Sequence, residues 1–392
     1  MPLYWRAAFY YLAFWASIGA FAGFIGVRWI ELGISPAQLG ILAIFGPIAG
    51  LSLAPILSRI ADSRAVHREI LAFSLVFMGI TMMAGVLVRD FLGALIFSVL
   101  IAVVACGVGP IGDGLIARMA STNGLQYGRM RLWGSFSFAA TSALFGFIYS
   151  RTGYLPMFVV CGLGLIATAP LARQLEPSQD IALEPSQDIA LEPSQNAQAT
   201  KPLEQAPEQV VFDAGLLVIL LVNLLIGLGL GFVSPYYGVR IDQLGGGAAQ
   251  IGLFYAIIAF SELPTMQFEK RIAKRIGDAG VLLTAACLYT LAHLCYTLAP
   301  NAAWMIAAGS LQGMAFGLFF VGSVRMVDAR AGRLISTLQV WRNAMLGGVA
   351  PLVGAGVGGW LSGTVNIQAV FWLTTVTMLV SSIAIYATRK RL

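Results

Sequence analysis

Val27 to Leu42 read VRWIELGISPAQLGIL, and Val239 to Phe254 read VRIDQLGGGAAQIGLF, an ungapped match at an offset of 212 residues. The same offset lays Arg59-Ile60-Ala61-Asp62 on Arg271-Ile272-Ala273-Lys274. It also lays Gly19, of the pair Gly19/Gly23, on Gly231, of the pair Gly227/Gly231. An unbroken register over this much chain makes the two halves copies of one another, so each must fold as the same unit.

Composition says what that unit is. The chain has 392 residues, of which 58% are hydrophobic and 11% charged, with a mean hydropathy of +0.81. A water-soluble domain carries charge on about a quarter of its residues, so this chain belongs in a bilayer. A span needs about 20 apolar residues, or roughly 24 with its turn; twelve spans use roughly 288 and leave roughly 104 for loops and tails. The apolar runs are continuous, whereas a β-barrel would show alternating segments of about 10 residues. The 44 glycines fit helices that approach closely where lipid supplies no hydrophobic drive between them.

Charge, Gly and Pro punctuate the chain into predicted helices near 7–27, 38–60, 70–88, 92–118, 128–150 and 155–172, then 213–235, 248–268, 279–298, 302–325, 334–360 and 367–387. The expected fold is all-α, with twelve transmembrane helices in two six-helix pseudo-symmetric bundles, 1–172 and 213–392. Between them, 173–212 holds the octad LEPSQDIA, which begins at Leu175, recurs at Leu183 and returns as LEPSQNAQ at Leu191. Seven acids against Arg173 and Lys201 give this stretch a net charge of −5. With almost nothing apolar to bury, it reads as a disordered tether. The start of the chain, with Arg6 ahead of the first apolar run and no small-residue cleavage site, reads as a retained helix and not a signal peptide.

Removing that −5 from the formal +6 leaves +11 on the embedded part, and its distribution sets the topology. With both termini cytoplasmic, 20 Lys and Arg fall on the inner loops and tails, among them Arg59, Arg64, Arg118, Arg131, Arg325 and Arg342. Only Arg28, Arg89, Arg151 and Arg240 fall outside. That asymmetry is the positive-inside pattern. Cys106, Cys161, Cys287 and Cys295 lie in apolar runs and read as buried packing thiols. The last two, eight residues apart on one helix, sit about 12 Å apart along its axis, too far for a disulfide. No metal-ligand spacing occurs, and neither metal nor cofactor is expected.

A charge at membrane depth costs about 2.5–3.5 kcal/mol on insertion scales, so one that is present faces a cavity or a partner. Asp113 lies in GVGPIGDGLIARMA and Arg131 in YGRMRLWGSFSF, each nine residues from Thr122 in the intervening turn. In an antiparallel hairpin they lie at equal depth and can meet. Arg131, Ser135, Phe138 and Ser142 share one helix face, a guanidinium fork, hydroxyls and an aromatic plate suited to a polar organic solute. The alternative is an ion pair that only locks the hairpin. Glu262 follows seven apolar or small residues and precedes Pro264. Such surroundings disfavour the ionised form and suit it to proton uptake and release; a neutral packing carboxyl is the bland reading. Gln312, Gln339, Asn343 and Asn223 add amides to the second half, each on its own read first as an interhelical hydrogen bond. His293 reads as a packing histidine and His67 as a loop residue.

The chain resembles the major facilitator superfamily over nearly its whole length apart from the octads. The resemblance rests on ELGISPAQLGIL (31–42), YGRMRLWGSFSF (127–138), and Glu262 followed by RIAKRIG (271–277). That superfamily is itself the standard case of two parallel-repeat halves with a midplane site between them. Within it, the likeness points to the phenylpropionate permease branch and, further off, lactose permease. There, a helix-four carboxylate and a helix-five arginine at the same separation bind sugar, which implies a substrate role for Asp113 and Arg131. The helix-ten proton-carrying histidine and glutamate are not matched, the nearest positions reading Gln312 and Ala315. Of the loop pattern GxxxDRxGRR, only Asp62 and Arg64 remain, as candidate gating residues.

The function implied is secondary transport of a small organic solute, an aromatic acid, sugar or nucleoside, across the bacterial inner membrane, with proton symport as the expected coupling. The substrate-binding set is Asp113, Arg131, Ser135, Phe138, Gln312 and Asn343, and the proton-coupling residue is Glu262. The expected partners are that solute, protons and the bilayer, with no nucleic acid, and the expected state is a monomer. The rival is a transporter-fold protein that binds or signals without transport. An intramembrane enzyme is a weaker one, since no catalytic constellation and no phosphate-binding GxxxxGK[ST] appear. If the octads are a tether, deleting two of the three leaves insertion and uptake unchanged, because loop-closure cost varies only logarithmically with length. Uptake by the shortened chain in vesicles tests this; a large loss would mean that the octads dock.

Overall fold

The computed structural model describes residues 2–175, 214–331 and 335–389. The expected tether, with all its octads past Leu175 and Lys201, and the basic residues Arg333, Lys390 and Arg391 lie outside the described residues.

Among those residues there are twelve transmembrane helices and no strand. The first half has α1 (Leu3–Gly19, resumed as Ile25–Glu31), α2 (Pro36–Arg64), α3 (His67–Leu87), α4 (Phe91–Thr122), α5 (Tyr127–Thr152) and α6 (Pro156–Arg173). The second half has α7 (Ala214–Gln243), α8 (248–276) and α9 (278–297), which Gly277 separates at φ +74°. It ends with α10 (Ala302–Ala331), α11 (Ile335–Ala344, resumed as Ala350–Thr364) and α12 (Ile367–Thr388). Phe73, Phe77, Leu92, Phe260, Trp360 and Ile383 point their side chains outward, giving the apolar belt that lipid requires.

The 212-residue repeat is visible atom by atom. Gly33 and Gly245 both sit at φ +79°, a left-handed turn that glycine adopts without strain. Three residues before Gln38 and Gln250, the backbone N–H of Ser35 and of Gly247 donates to the amide oxygen, at 2.8 and 3.1 Å. Each glutamine thereby caps the helix that follows. The first helix of each half is interrupted at matching places, 20–24 in α1 and Ser234–Tyr236 in α7.

The halves meet at the end of the molecule opposite the linker. A Cβ on Gly26 would lie 2.7 Å from the Pro235 carbonyl, and one on Gly238 would lie 2.7 Å from the Gly23 carbonyl. These two contacts are exchanged by the pseudo-two-fold. The same symmetry pairs Gly40 of α2 with Gly359 of α11, and Gly252 of α8 with Gly146 of α5, backbone against backbone. Tyr236 adds a hydroxyl donated to the Pro36 carbonyl at 2.9 Å.

Four expectations need correction. α8, expected over 248–268, runs on to 276, passing through Pro264, where the Thr265 hydroxyl donates to the Glu262 carbonyl at 2.9 Å. The basic run Lys270 to Arg275, placed in a loop, is therefore helical, since helix formers carry the hydrogen bonds on until Gly277. Arg325 and Arg342, counted with the loop charges, lie inside α10 and α11. Of the cysteines, only Cys161 is fully buried and Cys287 is exposed, because an apolar helix face can front lipid as readily as protein.

Overpacking at the shared contact has a definite consequence. Gly252→Val drives a branched side chain into the α5 backbone at Ser142 and Gly146. It is expected to cost about 1–3 kcal/mol and to lower the melting temperature in detergent. Gly50→Ala, where nothing lies within 4 Å, leaves it unchanged.

Candidate functional site

A cavity of about 290 Å³ lies between the halves, walled by Trp15 of α1, Arg131, Ser135 and Phe138 of α5, Leu230 of α7, Tyr255, Ile258, Ala259 and Glu262 of α8, Tyr289 of α9, and Gln312 and Phe316 of α10. Helical periodicity delivers these side chains in sets. Arg131, Ser135 and Phe138 project from one face of α5, and Tyr255, Ile258 and Glu262 from one face of α8. Two glycines bring the walls together. Gly134 lets Trp15 lie flat on α5, since a Cβ there would be 2.5 Å from the indole, and Gly317 seats α10 against the Glu262 carbonyl, 2.7 Å from where its Cβ would be.

The first-half wall is polar. Arg131 donates from Nη1 to both oxygens of Asp113, at 3.3 and 3.5 Å, so the hairpin brings the two charges together across α4 and α5. Tyr11 gives its single proton to Asp113 Oδ1 at 2.6 Å; Tyr127, 3.2 Å from the Tyr11 oxygen, must then be the donor in that contact. The guanidinium also lies 5.7 and 5.9 Å from the ring centres of Trp15 and Tyr11, within cation–π range. Asp113 and Arg131 remain 43% and 35% exposed, so the pair is accessible to solvent although it lies within the helical bundle.

Glu262 joins the halves. Its Oε1 accepts a hydrogen bond from Ser135 Oγ at 2.7 Å, linking α5 to α8 across the cavity. On the far wall, Tyr296 donates to Gln312 Oε1 at 2.9 Å, pinning the amide from behind. His293 is enclosed: Nδ1 lies 2.8 Å from the Tyr289 carbonyl, which can only accept, so Nδ1 carries the proton and Nε2 accepts from the Tyr237 hydroxyl at 3.0 Å.

Of the residues singled out by sequence, Arg131, Ser135, Phe138, Glu262 and Gln312 line this one cavity, and Asp113 stands directly behind Arg131. Ser142, on the same face of α5, instead donates to the Gly19 carbonyl at 3.0 Å. Asn343 is on α11, accepting from Arg342 Nη2 at 2.7 Å, outside the cavity lining. Asp62 is at the linker end of α2, where His67 Nε2 and Arg118 Nη2 meet it at 2.7 and 3.3 Å, and Arg64 is exposed beside it. Sequence reasoning passed over the aromatic members Tyr11, Trp15, Tyr255, Tyr289 and Phe316, and dismissed His67. The spacing of Tyr11 and Trp15, and of Tyr255 and Glu262, on common helix faces was the signal available.

Comparison with known proteins agrees with this architecture. Residues 4–373 match the MFS_1 like family. The maltose permease of Geobacillus stearothermophilus is 26% identical over 385 residues, covering 98% of this chain and 93% of that one. The uncharacterized transporter YwbF of Bacillus subtilis (strain 168) is 21% identical, covering 88% and 82%. Among solved structures, the nucleoside transporter NupG superposes with a TM-score of 0.77 at 13% identity over 100% of both chains. A bacterial homolog of the human lysosomal transporter Spinster, in an inward-facing state, gives 0.65 at 14%, covering 99% of this chain and 97% of that one.

The ion pair gives a test of its own. Asp113→Asn leaves Arg131 without its counter-charge and is expected to weaken both stability and solute binding; because both side chains keep partial exposure, the cost lies nearer the ~1 kcal/mol of an exposed pair than the ~3–5 kcal/mol of a buried one. Replacing both residues by neutral ones restores the melting temperature further than it restores uptake. Full recovery of uptake in the double variant would make the pair purely structural.

Proposed function

The chain belongs to the MFS_1 like family, and from that premise we propose that it is a carrier, not an enzyme, which moves a neutral, hydroxylated ring compound of the sugar or nucleoside class by alternating access with proton symport. The observation that carries this reading is the Ser135–Glu262 hydrogen bond, which spans the two halves inside the cavity. A carboxylate held there by both halves is linked both to the solute and to any movement between them.

Charge decides among the three solute classes. Arg131 is already matched by Asp113, and Glu262 adds a second carboxylate to the lining. An aromatic acid would find its carboxylate without an unmatched cation in this lining, and would meet like charge whenever Glu262 is ionised. Aromatic walls at Trp15, Phe138, Tyr255 and Phe316 suit the faces of a ring, while Arg131, Ser135 and Gln312 supply hydrogen-bonding edges. The volume, at the lower end of the roughly 300–1,000 Å³ common for small-molecule pockets, fits one or two rings. The maltose permease and NupG carry solutes of these two classes, by their names.

Proton coupling falls to Glu262. A change of access between states would alter the hydration of its carboxyl, which links protonation to conformation. The Lys and Arg distribution supports a cytoplasmic linker end, with the inner membrane as the location.

Uptake of maltose, uridine and phenylpropionate into proteoliposomes under an imposed pH gradient is the test. A sugar or nucleoside is expected to accumulate and the acid not to; accumulation of the acid alone would overturn the solute class. Glu262→Gln mimics the protonated state permanently. It is expected to abolish accumulation driven by the gradient while sparing exchange of labelled solute across the membrane. Accumulation that survives in this variant would remove Glu262 from the coupling step.

A further inference from the structure

The seam between α5 and α8 carries a second hollow, on the faces of those helices turned away from the solute cavity. It holds about 310 Å³ and is lined by Phe136, Ala139 and Ala140 of α5 and by Ala256, Ile257 and Phe260 of α8, with Ser261 its one polar residue. Phe136 and Phe260 are 51% and 62% exposed, so the groove opens to lipid. Its floor is thin: Ala139, Ala256 and Ala259 form one small cluster, and Ala259 lines the solute cavity on the other side. In the pseudo-symmetric seam between α2 and α11, Leu51 fills the corresponding place, 2.6 Å from where a Cβ on Gly348 would be. Alanines leave the α5–α8 groove open, and its lining lacks contacts until an acyl chain supplies them.

The groove leads towards the linker end onto cations. Arg129 lies seven residues before Phe136, and Pro264, Arg271 and Arg275 lie four, eleven and fifteen after Phe260, spacings that keep each on the groove face of its helix. The three arginines are exposed. None forms an ion pair among the described residues, and the acids next to them on the chain, Glu269 and Asp278, are both engaged by Arg325. Depth fits as well. Ala139 and Ala140 stand at the middle of α5, and from there to Arg129 is about 15 Å of helix rise, half of a hydrocarbon core about 30 Å thick. On α8, Phe268 is as far past Glu262 as Arg129 is before Ser135, and the Ser135–Glu262 hydrogen bond sets the two helices level. Arg271 and Arg275 follow Phe268 at about 4 and 10 Å further along the axis.

We propose that this groove binds an anionic phospholipid of the linker-end leaflet, one acyl chain lying on the alanine floor and the phosphate held between Arg129 of α5 and Arg271 and Arg275 of α8. A zwitterionic headgroup would bring its own ammonium to a rim that is already cationic, whereas an anionic one matches it. Since α5 and α8 belong to different halves, the lipid bridges the seam beside the cavity. The inference does not depend on which solute is carried.

The test titrates the full-length purified protein in detergent with phosphatidylglycerol or phosphatidylcholine. Native mass spectrometry counts the lipid retained, and thermal unfolding reads the stabilisation. Wild type is expected to retain phosphatidylglycerol in preference and to melt higher with it. Arg129→Gln and Arg271→Gln are each expected to weaken that retention about five-fold, the scale of one basic residue at a lipid surface. Ala140→Trp, at an exposed position, fills the groove from the lipid side; it is expected to abolish retention with little change in the melting temperature without lipid. Arg59→Gln, on the exposed linker end of α2, is the control that keeps wild-type retention.

Equal retention of the two lipids overturns the proposal, and so does unchanged retention in Ala140→Trp. A loss in Arg59→Gln as large as that in Arg129→Gln also overturns it, since the effect would then be one of general surface charge. If Arg129→Gln or Arg271→Gln lowers the melting temperature with no lipid added, these arginines answer an acidic partner within the chain, such as the linker, and the lipid site falls.

Discussion

The structure depends on backbone meeting backbone at the end away from the linker. Two membrane-embedded bundles have no hydrophobic drive to associate, because lipid tails are as apolar as the helices, so close packing has to supply the attraction. The glycine contacts supply it in symmetric pairs: Gly26 with Pro235 and Gly238 with Gly23, Gly40 with Gly359 and Gly252 with Gly146. Each contact tolerates no side chain, and the pseudo-two-fold gives each a counterpart. The cavity exists because the halves are held together there while their polar residues lie further along the same helices, towards the linker.

On this symmetric scaffold the chemistry is not symmetric. In the first half, α4 and α5 carry Asp113 and Arg131, an ion pair left partly open beside the cavity. The corresponding pair, α10 and α11, carries Ser323 and Arg342. That second cation is 2% exposed: its Nη1 donates to Ser323 Oγ at 3.2 Å, its Nε to Gln339 Oε1 at 2.8 Å and its Nη2 to Asn343 Oδ1 at 2.7 Å, and it lies 5.4 Å from the centre of the Phe320 ring. Gln339 in turn donates to Asp328 at 2.6 Å, a counter-charge one residue removed. A cation enclosed by acceptors in this way serves packing, whereas Arg131 has surface left over. The second half contributes to the cavity through Glu262, Tyr289 and Gln312 instead.

The sequence makes the fold legible because the bilayer forbids most alternatives: length, hydropathy and one ungapped repeat suffice for twelve helices in two copies. Residues of the site were legible where a charge stood at depth, as at Asp113, Arg131 and Glu262, since such a charge needs a reason. Tyr289 and Trp15 were not, because an aromatic residue in an apolar helix looks the same whether it faces lipid, core or cavity. Arg342 misled in the opposite sense: in sequence it is one more basic residue near a helix end, and only α10 and its own helix neighbours show it enclosed. His67 was invisible for a related reason, since its partner Arg118 lies 51 residues away, in another helix.

Two clusters at the linker end complete the mechanical picture. In the first half, Arg118 of α4 and His67 of α3 both reach Asp62 of α2. In the second, Arg325 of α10 donates to Glu269 of α8 at 2.7 Å and to Asp278 at the start of α9. Each cluster ties the second, third and fourth helices of its half together, so each half resists internal deformation there. Under the alternating access proposed above, halves stiffened in this way and joined by backbone contacts at the opposite end would move as bodies. Ser135 and Glu262 lie on different halves, so any such movement would stretch their hydrogen bond, and on that proposal the carboxylate would have to exchange it for another partner.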